Sequence, residues 1–350
     1  MLLSKTSAAI APWNNDEVQN VHHGQFGTPT EAAKVQTCAA LVMNAGFYHF
    51  SHTKYCNTDP SAIKGDSAMF LKIRDQYRCG DTLGGKVESY LRLYDARNST
   101  VMADRRRIFE EEMEEIRCAH PWGRFGYVSQ FYDKEKDGRR YSPWTLGTIK
   151  LPSCCSSPSD FEKFDRKEEV EKLRGQIKRI RESKYVFTAS PVIMRGGKLV
   201  SDRDMDLDID RKTKVDRSVA APSPGTLWHL DEKLNARTML GFASGGDKLL
   251  FVVVECNRDD GKDGGGGGMD LGEMRIFAEE LKKEFGCADL VNLDGGGSSQ
   301  MIRRTGPCED IEHVYCQEQD RPVPYTLMVM HKDYPAPNHE GETWQKEIKN

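Results

Sequence analysis

Three glycines in a row, Gly295, Gly296 and Gly297, stand between Asp294 and the pair Ser298 and Ser299. Each glycine loses more backbone freedom on ordering than any other residue. A triple directly after an apolar, strand-like segment therefore marks a place where the backbone must come very close to something. Bare N–H groups in a tight curve make an anion-binding nest, and the two serines add hydroxyl donors. Asp294, held by the strand end, is equipped to act as acid, base, nucleophile or metal ligand. The plainer reading is a glycine-rich hairpin turn, but two residues suffice for that.

Other segments invite chemistry and fail on spacing. Gly264–Gly268 resembles a phosphate loop, yet no Lys-Ser/Thr pair follows it, so a nucleotide P-loop is rejected. Four aspartates alternate from Asp204 to Asp210. An EF-hand loop counted from Asp204 needs glycine and glutamate where Ile209 and Val215 stand, so a solvated edge or loop is expected. Arg124–Phe131 echoes an RNA-binding aromatic strand, but its last aromatic is one residue late and no βαββαβ pattern surrounds it. Ten cysteines include no C-x-x-C pair, which argues against a zinc ribbon or redox dithiol. Cys308 and Cys316 bracket a short loop that a disulfide would fit; free thiols are the favoured reading.

The elements that must position Asp294 are marked locally. Asp270 and Glu273 have capping-box spacing, and Leu271, Met274, Phe277, Ala278, Leu281 and Phe285 form an apolar face that Gly286 ends. A strand is expected over Asp289–Leu293 and another over Gln300–Arg303, with a last one at Val323–His331. Thr238–Ala243 and Leu249–Glu255 read as a hairpin, the second strand buried on both faces. Val186–Met194 and Lys198–Val200 read as strands joined at Arg195, Gly196 and Gly197, and Ala39–Asn44 as the first strand. Residues 51–185 read as a large insertion with helices near Asp104–Arg117 and Phe161–Ser183 and a hairpin around Asp137-Gly138. In the second helix Val170, Leu173, Ile177 and Ile180 make a stripe too short for an independent coiled coil. It is expected to pack on its own domain, with self-association through the insertion left open.

The expected fold is α+β: a twisted, mainly antiparallel sheet with one packed amphipathic helix. Residues 1–38 are taken as an arm, 39–334 as a single domain carrying the insertion, and 335–350 as a tail. Fifty basic and 54 acidic residues nearly balance, so no broad basic field for nucleic acid or anionic membrane exists. No apolar run is long enough to span a bilayer. Met1–Ala11 is a poor secretory signal, which favours an intracellular place.

Val291–Ser299 resembles the signature of the phosphodiester glycosidase family. The resemblance extends through Met269–Met274 with its helix, through Ala236–Gly241, through Met43–Phe47 and through Ala189–Lys198. It covers roughly residues 39–50 and 186–331. Ala45 stands where a glycine is usual, and Glu255-Cys256-Asn257 where Asp-Gly-Arg is common. The resemblance implies hydrolysis of a sugar-1-phosphodiester or a related glycosidic bond, chemistry that needs two carboxylates flanking the anomeric carbon. Asp294 and Glu273 form the first candidate pair, against a plain capping role for Glu273; Glu255 is the substitute. Arg237 is the candidate for a bidentate grip on the phosphodiester, against a surface salt bridge. Asn44 is a candidate for a sugar hydroxyl, against simply ending a strand. Thr238, Gly295, Gly296, Gly297, Ser298, Ser299 and Arg321 complete the expected substrate-binding set, and His229 is a weaker candidate. No cofactor is required, although Asp294 beside a phosphate could recruit a divalent cation. The alternative is a glycan- or sugar-phosphate-binding protein that keeps the scaffold without turnover.

Overall fold

The computed structural model describes residues 2–4, 8–14, 27–36, 39–45, 48–50, 65–67, 71–73, 76–77, 124–131, 144–150, 167–189, 191–201, 234–243, 248–256, 267–304, 310–316, 321–323 and 325–331. The first sheet runs in the order β1 (Leu2–Ser4), β14 (Lys248–Val254), β13 (Arg237–Ala243), β15 (Cys287–Asn292), β11 (Val192–Arg195) and β12 (Lys198–Leu199). The second runs β17 (Ile311–Cys316), β16 (Gln300–Arg304), β3 (Ala39–Asn44), β18 (Tyr325–His331) and β2 (Ala8–Asn14). The third runs β7 (Gln76–Tyr77), β6 (Leu71–Ile73), β10 (Ser183–Thr188), β8 (Arg124–Phe131) and β9 (Thr145–Lys150), and β4 (Tyr48–Phe50) pairs with β5 (Gly65–Ser67). Every strand pairing among the described residues is antiparallel. Three helices accompany them: α1 (Pro29–Val35), α2 (Lys167–Glu182) and α3 (Leu271–Phe285). The fold is α+β.

Period-two alternation sorts the core into layers. Met239, Leu250, Leu290 and Ile193 leave one face of the first sheet, joined by Met194 past the register shift in β11, and meet Val170, Leu173, Ile177 and Ile180 of α2 and Leu271, Met274, Ala278 and Leu281 of α3. Leu240, Leu249, Phe251, Val291 and Val192 leave the other face and meet Leu41, Met43, Met301, Leu327 and Val329 of the second sheet. Val128 and Phe187 of the third sheet, and Trp144 just before β9, join that core. Val42, Ile302 and Met328 face the far side of the second sheet, where Ala32 and Ala33 of α1 cover them. The order is therefore helices, sheet, sheet, helix. A fully buried leucine or methionine contributes about 1.5–3 kcal/mol, so the layer interfaces carry most of the stability.

Several expectations change in detail. The first 38 residues, read as an arm, contain β1, which extends the first sheet at β14, and β2, which lies on the edge of the second at β18. They also hold α1, whose Thr28 and Glu31 form a capping box. Pro12 is tolerated in β2 because an edge strand need not donate on both sides. The single strand expected over Val186–Met194 is two: β10 ends at Thr188 in the third sheet, and β11 starts at Val192 in the first. The break falls at Pro191. The stripe on α2 faces its own core, and Tyr127 of the RNA-like strand is buried there too. On α3, Phe285 is exposed and Phe277 only half-buried, so the apolar face is narrower than the spacing suggests. Likewise β14 begins on exposed Lys248 and ends half-buried at Val252–Val254 rather than being buried throughout. The expected helix at 104–117, the Asp137-Gly138 turn, the Asp204–Asp210 run, His229, Cys308 and the 335–350 tail lie outside the described residues.

Candidate active site

Asp294 sits where the chain leaves the first sheet for the second. The N–H of Leu293 still donates to Thr238 of β13, at 2.8 Å, whereas that of Asp294 donates to Ala45, just past β3, at 3.0 Å. β16 then begins at Gln300 in the second sheet. The crossing is sharp. Gly296 adopts φ +60°, a left-handed conformation that favours glycine, and its N–H donates to the Ala236 carbonyl at 2.8 Å. A Cβ on Gly295 would lie 2.8 Å from that same carbonyl oxygen. A turn of 3-10 helix over Gly296–Ser298 follows, closed by the Ser299 N–H donating to Gly296.

This turn encloses the Asp294 carboxyl. Burial pushes it up to about 6; the Ser298 hydroxyl, the positive charge of Arg321 and the Gly295 N–H pull it partly back. The Gly295 N–H reaches Oδ1 at 3.0 Å. The N–H groups of Gly295, Gly296, Ser298 and Ser299 all find acceptors within the protein, and the positive charge acting on the Asp294 carboxyl is that of Arg321.

A buried polar knot lies behind the turn. Asn44, at the end of β3, donates from Nδ2 to the Asp294 carbonyl at 2.7 Å. Its Oδ1 accepts from the Thr238 hydroxyl at 2.9 Å and from the Gln300 N–H at 3.0 Å. The Thr238 hydroxyl also lies 3.2 Å from that of Ser299. Gln300 donates from Nε2 to the Arg321 carbonyl at 2.7 Å, which ties that arginine's backbone to the same knot. Asn44, Thr238, Ser299 and Gln300 are fully buried.

Arg237 opens β13 and is buried, not a surface ion-pair partner. Its Nε donates to the Met269 carbonyl at 2.7 Å. Burial lowers its pKa to about 10 against the opposing pull of Asp270, which still leaves it cationic at neutral pH. Asp270 caps α3: its Oδ1 accepts from the Glu273 N–H at 2.8 Å, and Glu273 Oε2 accepts from the Asp270 N–H at 3.1 Å. Glu273 is exposed and engaged in this capping box. Glu255 is exposed and follows Val254, the cross-strand partner of Arg237, so it stands at the same end of the sheet. Sequence reading missed Gln300 and gave Asp270 only a capping role; both flank recognised motifs, but nothing local signals whom they meet. Among the described residues no three His, Cys, Asp or Glu side chains are grouped to hold a metal ion, and no helix is long and apolar enough to cross a membrane.

The layered sheets thus carry a buried acid, Asp294, at their crossover, with the charge of Arg321 acting on it and the buried Arg237 at the adjoining end of β13. Residues 158–330 match the model of the family described as phosphodiester glycosidase. No curated protein matches the chain. Among solved structures it is similar to the catalytic domain of zebrafish N-acetylglucosamine-1-phosphodiester alpha-N-acetylglucosaminidase, at 14% identity and TM-score 0.44, covering 92% of this chain and 73% of that one. A Burkholderia pseudomallei protein aligns at 12% identity and TM-score 0.49, covering 92% and 71%. A hypothetical protein from Synechocystis aligns at 11% and 0.40, covering 94% and 57%.

Proposed function

We propose that the protein hydrolyses a sugar-1-phosphodiester or a related glycosidic bond, with Asp294 as general acid. The observation that carries this is the Asp294 carboxyl, buried at a glycine crossover and raised to about 6 beside Ser298 and Arg321. A carboxyl with that value stays protonated in mildly acidic solution and can deliver its proton to a leaving oxygen. Arg237 and Arg321 offset the negative charge of the phosphodiester, and the bare Gly295–Gly297 backbone lets it approach. The water or nucleophile side needs a second carboxylate, for which Glu255 and Glu273 compete. Glu255 is the freer of the two for that role, since Glu273 closes the cap of α3. With arginines supplying the positive charge, a divalent cation is not needed, and chelator is expected to leave the rate unchanged.

The test is hydrolysis of a panel of sugar-1-phosphodiesters and aryl glycosides by wild type and Asp294→Asn across pH 4–8. Turnover that falls as pH rises through about 6, and that drops ~10²–10⁴-fold in the folded mutant, is expected. Full activity in Asp294→Asn would remove the acid role. Sugar-phosphate binding without turnover on any substrate would leave a binding protein on the same scaffold.

A further inference from the structure

The pair Asn44 and Thr238 does not have the geometry of a substrate contact. Both side chains are fully buried, and their polar atoms are aimed at the protein. Asn44 Oδ1 already accepts two hydrogen bonds, its full complement, from Thr238 Oγ1 and the Gln300 N–H. Its Nδ2 donates to the backbone carbonyl of Asp294. The Thr238 hydroxyl has Asn44 on one side and Ser299 on the other.

What these bonds join is more telling than their number. Asn44 ends β3 and Gln300 starts β16, both in the second sheet, whereas Thr238 belongs to β13 in the first. Asp294 and Ser299 stand at the two ends of the turn that crosses between the sheets. One side chain thus ties both sheets to the carbonyl of the residue carrying the candidate acid. The three glycines leave that turn few side-chain contacts of its own, so its position must be imposed from behind.

We propose that Asn44 and Thr238 form a positioning clamp that holds the Asp294 turn across the seam between the two sheets, without touching substrate. The proposal rests on the glycosidase reading only for its kinetic consequence; the clamp itself is a statement about the turn. In a placed acid, a displacement of about 1 Å costs on the order of 10²-fold in rate, while ground-state binding is largely kept.

Thr238→Val keeps the shape and removes the hydroxyl; Thr238→Ser restores it. Two measurements decide. Amide hydrogen exchange across residues 293–300 is expected to speed up roughly tenfold or more in Thr238→Val, to return towards wild type in Thr238→Ser, and to stay unchanged in α3, because losing a buried bond opens the segment it held. Steady-state kinetics are expected to show kcat reduced ~10–10²-fold in Thr238→Val with KM within a few-fold, and recovered in Thr238→Ser. A raised KM with kcat intact would make the pair a substrate contact and overturn the proposal. So would wild-type exchange at 293–300 in Thr238→Val. If wild type turns over no substrate, the glycosidase reading fails, while the exchange experiment still decides the clamp.

Discussion

Two carboxylates of the site region, Asp294 and Glu273, occupy opposite environments. Asp294 is enclosed by a glycine turn, its backbone pinned by residues distant in the chain, and its carboxyl is held against its ionised form. Glu273 is in solvent, three residues from its partner Asp270, in a reciprocal cap that any helix could use. Desolvation raises the proton affinity of the first and makes it a candidate for chemistry. The capping box makes the second a stabiliser of α3, and the depth of burial is the difference between them. Charge near a pocket is therefore a weaker signal than charge that the fold works to keep out of water.

The largest way to break this contrast is Asp294→Asn, because it should move activity and stability in opposite directions. A folded-state pKa raised to about 6 means the folded protein holds the Asp294 proton more tightly than the unfolded chain does. Its contribution to stability is therefore complete below the unfolded value and is lost as pH rises from about 4 through about 6. At neutral pH the ionised, buried carboxylate works against folding by up to about 3 kcal/mol. Asparagine is neutral at every pH and can still accept from the Gly295 N–H. Denaturant melts should show Asp294→Asn more stable than wild type at pH 7.5 and indistinguishable at pH 4. Equal stability at both would mean the carboxyl is not desolvated.

A smaller break is Gly295→Ala. The new Cβ would press on the Ala236 carbonyl oxygen, which already accepts from Gly296. The turn must shift, and overpacking of this kind costs about 1–3 kcal/mol. A shift displaces Asp294, so kcat should fall ~10-fold or more with a modest loss in melting temperature. An active, undisturbed Gly295→Ala would show that the close approach of this backbone has no role.

How legible each half of the contrast was in the sequence follows from its range. The capping box at Asp270 and Glu273, the left-handed Gly286 after α3 and the β13–β14 hairpin are all local patterns, and they were readable within a residue or two. Asp294 itself was readable from the triple glycine. The knot behind it was not: Asn44 bonds Thr238 across 194 residues, Asp294 across 250 and Gln300 across 256. No local preference encodes such a meeting, so Asn44 read as a strand end or a sugar contact. The same limit hid β1 and β2. Their neighbours are β14 and β18, far down the chain, and an edge strand with Pro12 lacks the alternation that marks a half-buried one.

The smallest effect sharpens the comparison most, because it separates charge from capping at Glu273. Gln closes a capping box as Glu does, through its side-chain oxygen on the Asp270 N–H, whereas Ala leaves that donor without its partner. Glu273→Ala should therefore lose about 0.5–1.5 kcal/mol in a denaturant melt, and Glu273→Gln only a few tenths, since it gives up just the favourable placement of negative charge at a helix N-terminus. If capping is all that Glu273 does, both variants keep kcat within a few-fold, and Glu255 becomes the second carboxylate to remove. If instead Glu273→Gln keeps its stability but loses ~10²-fold or more in kcat, the charge acts on substrate, and an exposed glutamate in a capping box is also part of the chemistry.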